Sequence, residues 1–180
     1  SDYKEDLELW LPEYLVAPEN ISNIPEDALP EKVIDLGELS TEPNTFPIFG
    51  PDYEKTEPLD SKLSGCVFYL VAGHGGPDPG AIGRKDGHDL CEDEYAYDVT
   101  LRLARNLLER GAKVYLIVRD PDDGIRDDAY LLCDYDEYYF GGDTISHDQL
   151  IRLTKRAEIV NKFYEENKST ARDQAAVVIH

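Results

Sequence analysis

The chain has 180 residues, enough for one domain with a hydrophobic core, and it carries 38 acidic against 18 basic residues. The net charge of −20 repels phosphate backbones and anionic membrane surfaces, so we expect no nucleic-acid partner. No apolar run reaches the roughly 18 residues that a membrane span needs, and the first residues form no signal peptide. Cys66, Cys91 and Cys133 lack CxxC spacing, so at most one disulfide is expected, and its pairing stays open.

Residues 1–60 differ in composition from the rest of the chain. They hold 16 of the 38 acidic residues, 3 of the 18 basic ones and 8 of the 11 prolines. Prolines at this density argue against a long helix or a central strand. We therefore predict an acidic, proline-rich leader or linker over residues 1–60 and a folded domain over residues 61–180. The leader is either a disordered linker or a segment that packs on the domain, and Trp10, Phe46 and Phe49 favour packing.

After residue 60, continuous apolar runs alternate with helical periodicity. The apolar runs predict three buried strands, at residues 66–72, 113–118 and 175–179. Apolar residues at every third or fourth position predict two helices between them, at residues 92–110 and 146–167. This order predicts an α/β fold with a mostly parallel central sheet flanked by helices.

The details of the helices and loops are also predicted. Gly111 ends the first helix, and Ser146 followed by Gln149 fits a capping box that begins the second. We expect the second helix to bury one apolar face, made of Leu150, Leu153, Ala157, Val160 and Tyr164. Residues 73–87 are predicted to form a loop rich in glycine and proline.

An acidic, tyrosine-rich insertion is predicted at residues 120–146. Its aspartates do not follow the order of an EF-hand, so we predict a solvated loop rather than a calcium site; they are Asp120, Asp122, Asp123, Asp127 and Asp128. Its tyrosines are expected to pack the loop onto its own domain, with stacking on sugar rings as the alternative; they are Tyr130, Tyr135, Tyr138 and Tyr139.

Histidines follow two of the three predicted strands. His74 comes two residues after the first, and His180 directly follows the last, so both belong at the carboxyl edge of the sheet. A catalytic zinc site needs three protein ligands, and Glu92 or Glu94 at the start of the first helix would supply the third. The competing interpretation is that the histidines are ordinary surface residues and that the acids merely interact with the helix dipole.

Longer motifs favour the zinc interpretation. The first strand is followed by Gly73-His74-Gly75-Gly76-Pro77-Asp78-Pro79-Gly80-Ala81-Ile82-Gly83. Further motifs follow in order: Glu92 with Thr100-Leu101-Arg102-Leu103-Ala104, then Gly111-Ala112-Lys113-Val114, Val118-Arg119-Asp120, Leu153 with Arg156 and Asn161, and Ala176-Val177-Val178-Ile179-His180. Over about residues 65–180, the chain resembles the zinc-dependent N-acetylmuramoyl-L-alanine amidases, the amidase type 3 family of cell-wall hydrolases.

The resemblance implies a ligand set and an activity. The zinc ligands would be His74, Glu92 and His180, with Glu94 as the rival third ligand, whereas His88 matches no ligand of the family. The implied reaction is hydrolysis of the amide bond between N-acetylmuramic acid and L-alanine. The substrate would be peptidoglycan or a muropeptide, in the cell envelope, the periplasm or outside the cell.

The resemblance also implies a general-base glutamate downstream of the last histidine. We therefore expect that residue beyond His180 and expect the domain to be truncated at its C-terminal end. The alternative function is a non-catalytic cell-wall-binding protein of the same fold that lacks the general base. A dinucleotide-binding module is disfavoured, because Asp78 stands where the third glycine of its fingerprint would be. The sequence identifies no regulatory partner.

Overall fold

A computed structural model describes residues 44–180 of the chain. These residues form strands β1 (Cys66–Ala72), β2 (Ile82–Lys85) and β3 (His88–Cys91), helix α1 (Glu92–Leu108), strands β4 (Lys113–Leu116), β5 (Val118–Arg119) and β6 (Tyr138–Tyr139), helix α2 (Gln149–Asn167) and strand β7 (Asp173–Ile179). The central sheet has the order β4-β1-β7, and both pairings are parallel. The predicted α/β fold with a parallel sheet flanked by helices is confirmed.

The two helices cover opposite faces of the sheet. Leu70 of β1 belongs to a buried cluster with Leu101 of α1. Tyr69, its neighbour in the strand, belongs to a second cluster with Phe163 of α2. Neighbouring residues of a strand point to opposite faces, so β1 is buried on both sides, as its continuous apolar run predicts. Among the described residues, neither helix has the length and apolarity that a membrane crossing requires.

Part of the proline-rich segment packs on the domain. A short 3₁₀ helix, Pro47–Phe49, carries a phenylalanine that is fully buried in the cluster of α1. Phe46 lies in the same cluster, and the carbonyl of Phe49 accepts a hydrogen bond of 3.0 Å from the amide of Ile125. Residues 44–60 therefore contribute to the core. Residues 1–43, including Trp10, lie outside the described part of the chain.

The predicted loop at residues 73–87 contains part of a β-hairpin that the sequence analysis missed. Strands β2 and β3 pair in antiparallel register across Asp86 and Gly87, whose φ angles are 52° and 89°. Two successive residues with positive φ form the turn that Asp-Gly favours between antiparallel strands. The Asp-Gly pair was therefore a usable signal for this hairpin.

The predicted start of α2 is wrong by about two residues. The helix begins at Gln149, and the carboxylate of Asp148 caps it by accepting a hydrogen bond of 3.0 Å from the amide of Ile151. Ser146 lies outside the helix, where its hydroxyl oxygen accepts a hydrogen bond from the Asp148 amide. Serine and aspartate both cap helices well. Here the aspartate is the residue whose side chain reaches a free amide of the first turn.

The predicted buried face of α2 is wrong for three of its five residues, whereas Ala157 and Val160 are half-buried as part of it. Leu150 and Leu153 are 64% and 51% exposed, and Tyr164 is also exposed. The buried side chains are those of Arg152, Arg156, Phe163 and Asn167. The apolar periodicity failed because the N-terminal half of α2 presents arginines, rather than leucines, to the loop that follows β1.

Strand β7 was predicted to be buried, but all seven of its residues are exposed or half-exposed. In the described part of the chain it pairs with β1 on one side and forms an edge of the sheet. An apolar run alone does not distinguish an edge strand from a central one.

The acidic insertion is partly buried, which corrects the prediction of a solvated loop. Strands β5 and β6 pair in antiparallel register, and a disulfide joins Cys91 to Cys133. Asp120 and Glu137 are each 5% exposed. Burial raises the pKa of Glu137 to about 8. The insertion is therefore integrated into the domain next to α1.

The packing of Phe49 predicts a large loss of stability on truncation. Because its ring is fully buried in the main core, Phe49→Ala is expected to lower the free energy of unfolding by about 3–5 kcal/mol. Leu59→Ala is the control, since Leu59 is 61% exposed. Denaturant unfolding measures both, and equal effects of the two substitutions would contradict the packing.

The buried Glu137 predicts a pH-dependent stability. Its pKa rises on folding from 4.5 to about 8, so its contribution to stability is complete below about pH 4.5 and is lost as the pH rises towards 8. Glutamine carries no titrating proton, so Glu137→Gln does not lose this stability. The free energy of unfolding of the variant, relative to that of the native chain, is therefore expected to rise between pH 5 and pH 8 by on the order of a few kcal/mol. Thermal unfolding in EDTA across this range tests it; a constant difference would contradict it.

Candidate metal centre

The two histidines meet at the carboxyl edge of the sheet. The amide of Gly73 donates a hydrogen bond of 2.7 Å to the carbonyl of Ile179, which holds the ends of β1 and β7 side by side. His74 and His180 follow these two ends, and their ring centroids are 4.5 Å apart in an edge-on arrangement. Parallel pairing thus brings together two side chains that are more than one hundred residues apart in sequence.

Glu92 completes the group from the first position of α1. Its Oε2 lies 3.5 Å from His74 Nε2, and its Oε1 lies 2.9 Å from His180 Nδ1. One possible ligand atom of each residue lies within 4.8 Å of those of the other two. Tetrahedral zinc with bonds of about 2.1 Å would hold its ligand atoms about 3.4 Å apart. Two imidazoles and a carboxylate at this spacing fit zinc in both chemistry and size.

A carboxylate fixes the orientation of the His74 ring. Asp78 Oδ2 lies 3.1 Å from His74 Nδ1, and Asp78 in turn pairs with the guanidinium of Arg152. A carboxylate accepts hydrogen bonds, so Nδ1 carries the proton and the lone pair of Nε2 faces Glu92. Burial alone would raise the pKa of Asp78, but its hydrogen bond with His74 and the charge of Arg152 lower it. This is the support that metal-binding histidines usually receive.

Helix α2 supplies the groups that hold the His74 loop. Arg152 donates hydrogen bonds of 3.1 and 2.8 Å to the carbonyls of Ser146 and His147. Arg156 donates to the main-chain carbonyl of His74 itself. His74 has a φ of 58°, an unusual conformation for a residue with a side chain. The buried arginine therefore stabilises the loop where its backbone is least favourable.

Gly80 gives Glu92 and His74 room to approach each other. Its φ is 69°, and a Cβ at this position would lie 2.7 Å from His74 Cδ2 and 2.8 Å from Glu92 Oε2. The next amide, that of Ala81, donates a hydrogen bond of 2.9 Å to Glu92 Oε2. This bond, followed by the interaction with His180, lowers the pKa of Glu92. The carboxylate is consequently ionised, as a metal ligand must be.

Glu94 and His88, the other ligands considered from sequence, have different partners. Glu94 is 1% exposed; one carboxylate oxygen pairs with Arg126 at 3.0 Å, and the other accepts a hydrogen bond of 2.7 Å from the amide of Asp134. His88 stacks on the ring of Tyr130 at 4.8 Å. Neither residue belongs to the group of possible ligands that contains His74 and His180.

Sequence reasoning missed the residues that support the histidine. Asp78 was noted as part of the glycine-rich motif, and Arg152 was not noted at all. The spacing His74-x-x-x-Asp78 was a usable signal, since both residues lie in one tight turn closed by hydrogen bonds between Gly75 and Asp78. No local pattern around Arg152 indicates that it reaches this turn.

Comparison with known proteins identifies the family to which the chain belongs. A family model described as N-acetylmuramoyl-L-alanine amidase matches residues 69–180. The germination-specific N-acetylmuramoyl-L-alanine amidase of Bacillus subtilis (strain 168) is 41% identical over 66 residues, which cover 37% of this chain and 26% of that protein. No solved structure matches significantly. Because the family model covers well over half of the sequence, the chain belongs to the N-acetylmuramoyl-L-alanine amidase family.

Proposed function

We propose that this protein hydrolyses the amide bond between N-acetylmuramic acid and L-alanine in peptidoglycan, and that it depends on zinc held by His74, Glu92 and His180. The observation that carries the proposal is the convergence of these three side chains at one edge of the sheet, with possible ligand atoms within 4.8 Å of one another. Family membership supports the substrate class and the bond that is cleaved.

The chemistry follows from the ligand set. Bound zinc supplies a Lewis acid that activates water and polarises a carbonyl. The chain's own residues prepare that site: Asp78 holds the proton on Nδ1 of His74, and the Ala81 amide keeps Glu92 ionised. The general base remains a prediction, as a glutamate beyond His180. Without such a base, the chain would be a cell-wall-binding protein of the same fold.

A location outside the cytoplasm is part of the proposal. Peptidoglycan lies in the cell envelope, and the substrate class therefore points to the envelope, the periplasm or the exterior. The disulfide between Cys91 and Cys133 supports this location, because such bonds persist mainly in oxidising compartments.

Zinc content tests the ligand set. The full-length protein is expected to hold one zinc ion per chain, and His74→Ala should lose it because an imidazole ligand is removed. His88→Ala is the matched control and should keep the metal, since His88 stacks on Tyr130 away from the site. Glu92→Gln should likewise lose zinc and Glu94→Gln should retain it, as measured by mass spectrometry of metals. Zinc that is lost with Glu94→Gln instead would overturn the assignment.

Activity is tested in the same preparations. Purified peptidoglycan should release peptides with a free L-alanine amino group, and release should stop in His74→Ala and after removal of zinc. Protein that holds zinc and binds peptidoglycan but releases no peptide would favour the binding function. Protein that holds no zinc when zinc is supplied would refute the proposal.

Gly80 predicts a steric requirement of the site. Gly80→Ala would place a methyl group against both His74 and Glu92. It is expected to weaken zinc binding roughly 10–100-fold, which is the usual effect of changing a residue that supports metal ligands. Gly83→Ala is the control, because a Cβ there would meet Leu90 at an ordinary distance of 4.0 Å. Competition with a zinc chelator measures both affinities, and equal values would contradict the prediction.

A further inference from the structure

A second group of carboxylates is buried beside the candidate metal centre. Asp93 and Glu94 lie in the first turn of α1, and Glu137 directly precedes β6. These residues are 1%, 1% and 5% exposed, and one carboxylate oxygen of each lies within 4.8 Å of those of the other two. Three acidic groups are thus brought together away from solvent.

Further acidic side chains lie beside this group, and they are more numerous than the cations that pair with them. Asp123 and Asp134 form an overlapping group with Glu94, and Asp120 and Asp134 form another with Glu137. Arg126 pairs with Glu94 at 3.0 Å and with Asp123. Arg126 is thus shared between two of these acids, and the guanidinium of Arg156 also interacts with Glu137. The six carboxyl groups therefore outnumber these two guanidinium groups.

Asp93 also has an oxygen without a partner. Its Oδ1 accepts a hydrogen bond of 3.0 Å from the amide of Glu94, but its Oδ2 is buried and makes no hydrogen bond within the described structure. Oδ1 of Asp134 is likewise buried and makes no hydrogen bond within the described structure. Buried carboxylate oxygens are normally hydrogen-bonded, paired with a cation or bound to a metal. An unsatisfied oxygen on a fully buried side chain, in a group of carboxylates, therefore indicates a ligand that completes the site.

We propose that this group binds a calcium ion, with Asp93 and Glu137 as direct ligands and neighbouring acids of the insertion completing the oxygen shell. Calcium takes six to eight oxygen ligands in flexible geometry, which suits carboxylates that come from a helix and from an irregular insertion. Zinc prefers nitrogen and sulfur ligands, and magnesium retains water in strict octahedral geometry. The site is separate from the zinc ligands His74, Glu92 and His180.

The ion would join two parts of the chain that flank the zinc ligands. Asp93 directly follows Glu92, and Glu137 Oε2 accepts a hydrogen bond of 2.6 Å from the amide of Gly76 in the His74 loop. The disulfide from Cys91 to Cys133 joins α1 to the insertion at the same place. Calcium therefore stabilises the attachment of the insertion to α1 and to the His74 loop.

Calcium titration of the full-length protein tests this site. The protein is stripped with a chelating resin, resupplied with one equivalent of zinc, and titrated with calcium chloride by calorimetry and by thermal unfolding. We expect one calcium ion per chain and a rise in Tm with calcium concentration. Asp93→Asn and Glu137→Gln should each weaken calcium binding at least tenfold. Asp128→Asn, which removes an exposed acid from the same insertion, should bind calcium as the native chain does.

The zinc-site variant separates this proposal from the proposed function. His74→Ala should lose zinc and keep calcium, so a failure of the zinc proposal leaves the calcium result intact. The native protein, whose folding does not depend on any substitution, decides the question by itself. No binding heat and no shift in Tm at calcium concentrations up to about 10 mM, well above the weakest ordinary calcium sites, would overturn the proposal. Calcium binding that disappears in His74→Ala but persists in Asp93→Asn would overturn it as well.

Discussion

The parallel pairing of β1 with β7 is the constraint on which the candidate metal centre depends. The two strands run in register from Cys66 opposite Asp173 to Ala72 opposite Ile179, so they end at the same height. The two histidines that follow these strands therefore lie close together at one edge of the sheet. A one-residue slip of this register would shift His180 by about 3.3 Å along the strand and turn it to the opposite face of the sheet. The burial of β1 on both faces, which requires α1 and α2, therefore also positions the histidines.

The polar face of α2 explains how the His74 loop keeps its unusual backbone. Arg152 and Arg156 are nearly as buried as the core residues around them, and burial of a guanidinium is costly unless it is paired and hydrogen-bonded. Each of them binds the His74 loop, Arg152 through the carboxylate of Asp78 and Arg156 through the carbonyl of His74. On this part of its buried face, the helix therefore carries polar side chains that hold the His74 loop, where apolar side chains would otherwise pack.

Neighbouring acids at the start of α1 lie in opposite environments. Glu92 reaches the half-exposed edge of the sheet, where hydrogen bonds from Ala81 and His180 lower its pKa. Asp93 and Glu94 point into the protein, and burial raises the pKa of both. Successive helical residues are about 100° apart around the axis, so one turn supplies a candidate ligand to one site and carboxylates to another. This separation favours Glu92 over Glu94 as the proposed third ligand.

The sequence by itself determined the parallel α/β fold, the strand β1 and the two histidines that converge at its edge, and it limited the third residue of the group to Glu92 or Glu94. Continuous apolar runs and helical periodicity are local signals, and the glycine-rich motif around His74 is long enough to identify a family. The tertiary structure decided which face of α2 is buried, the exposure of β7 and the burial of the acidic insertion. It also decided the pairing of Cys91 with Cys133 and the link between Arg152 and Asp78. These features depend on contacts between residues far apart in the chain, and local composition carries no information about which distant partner will compensate a charge or cover a face.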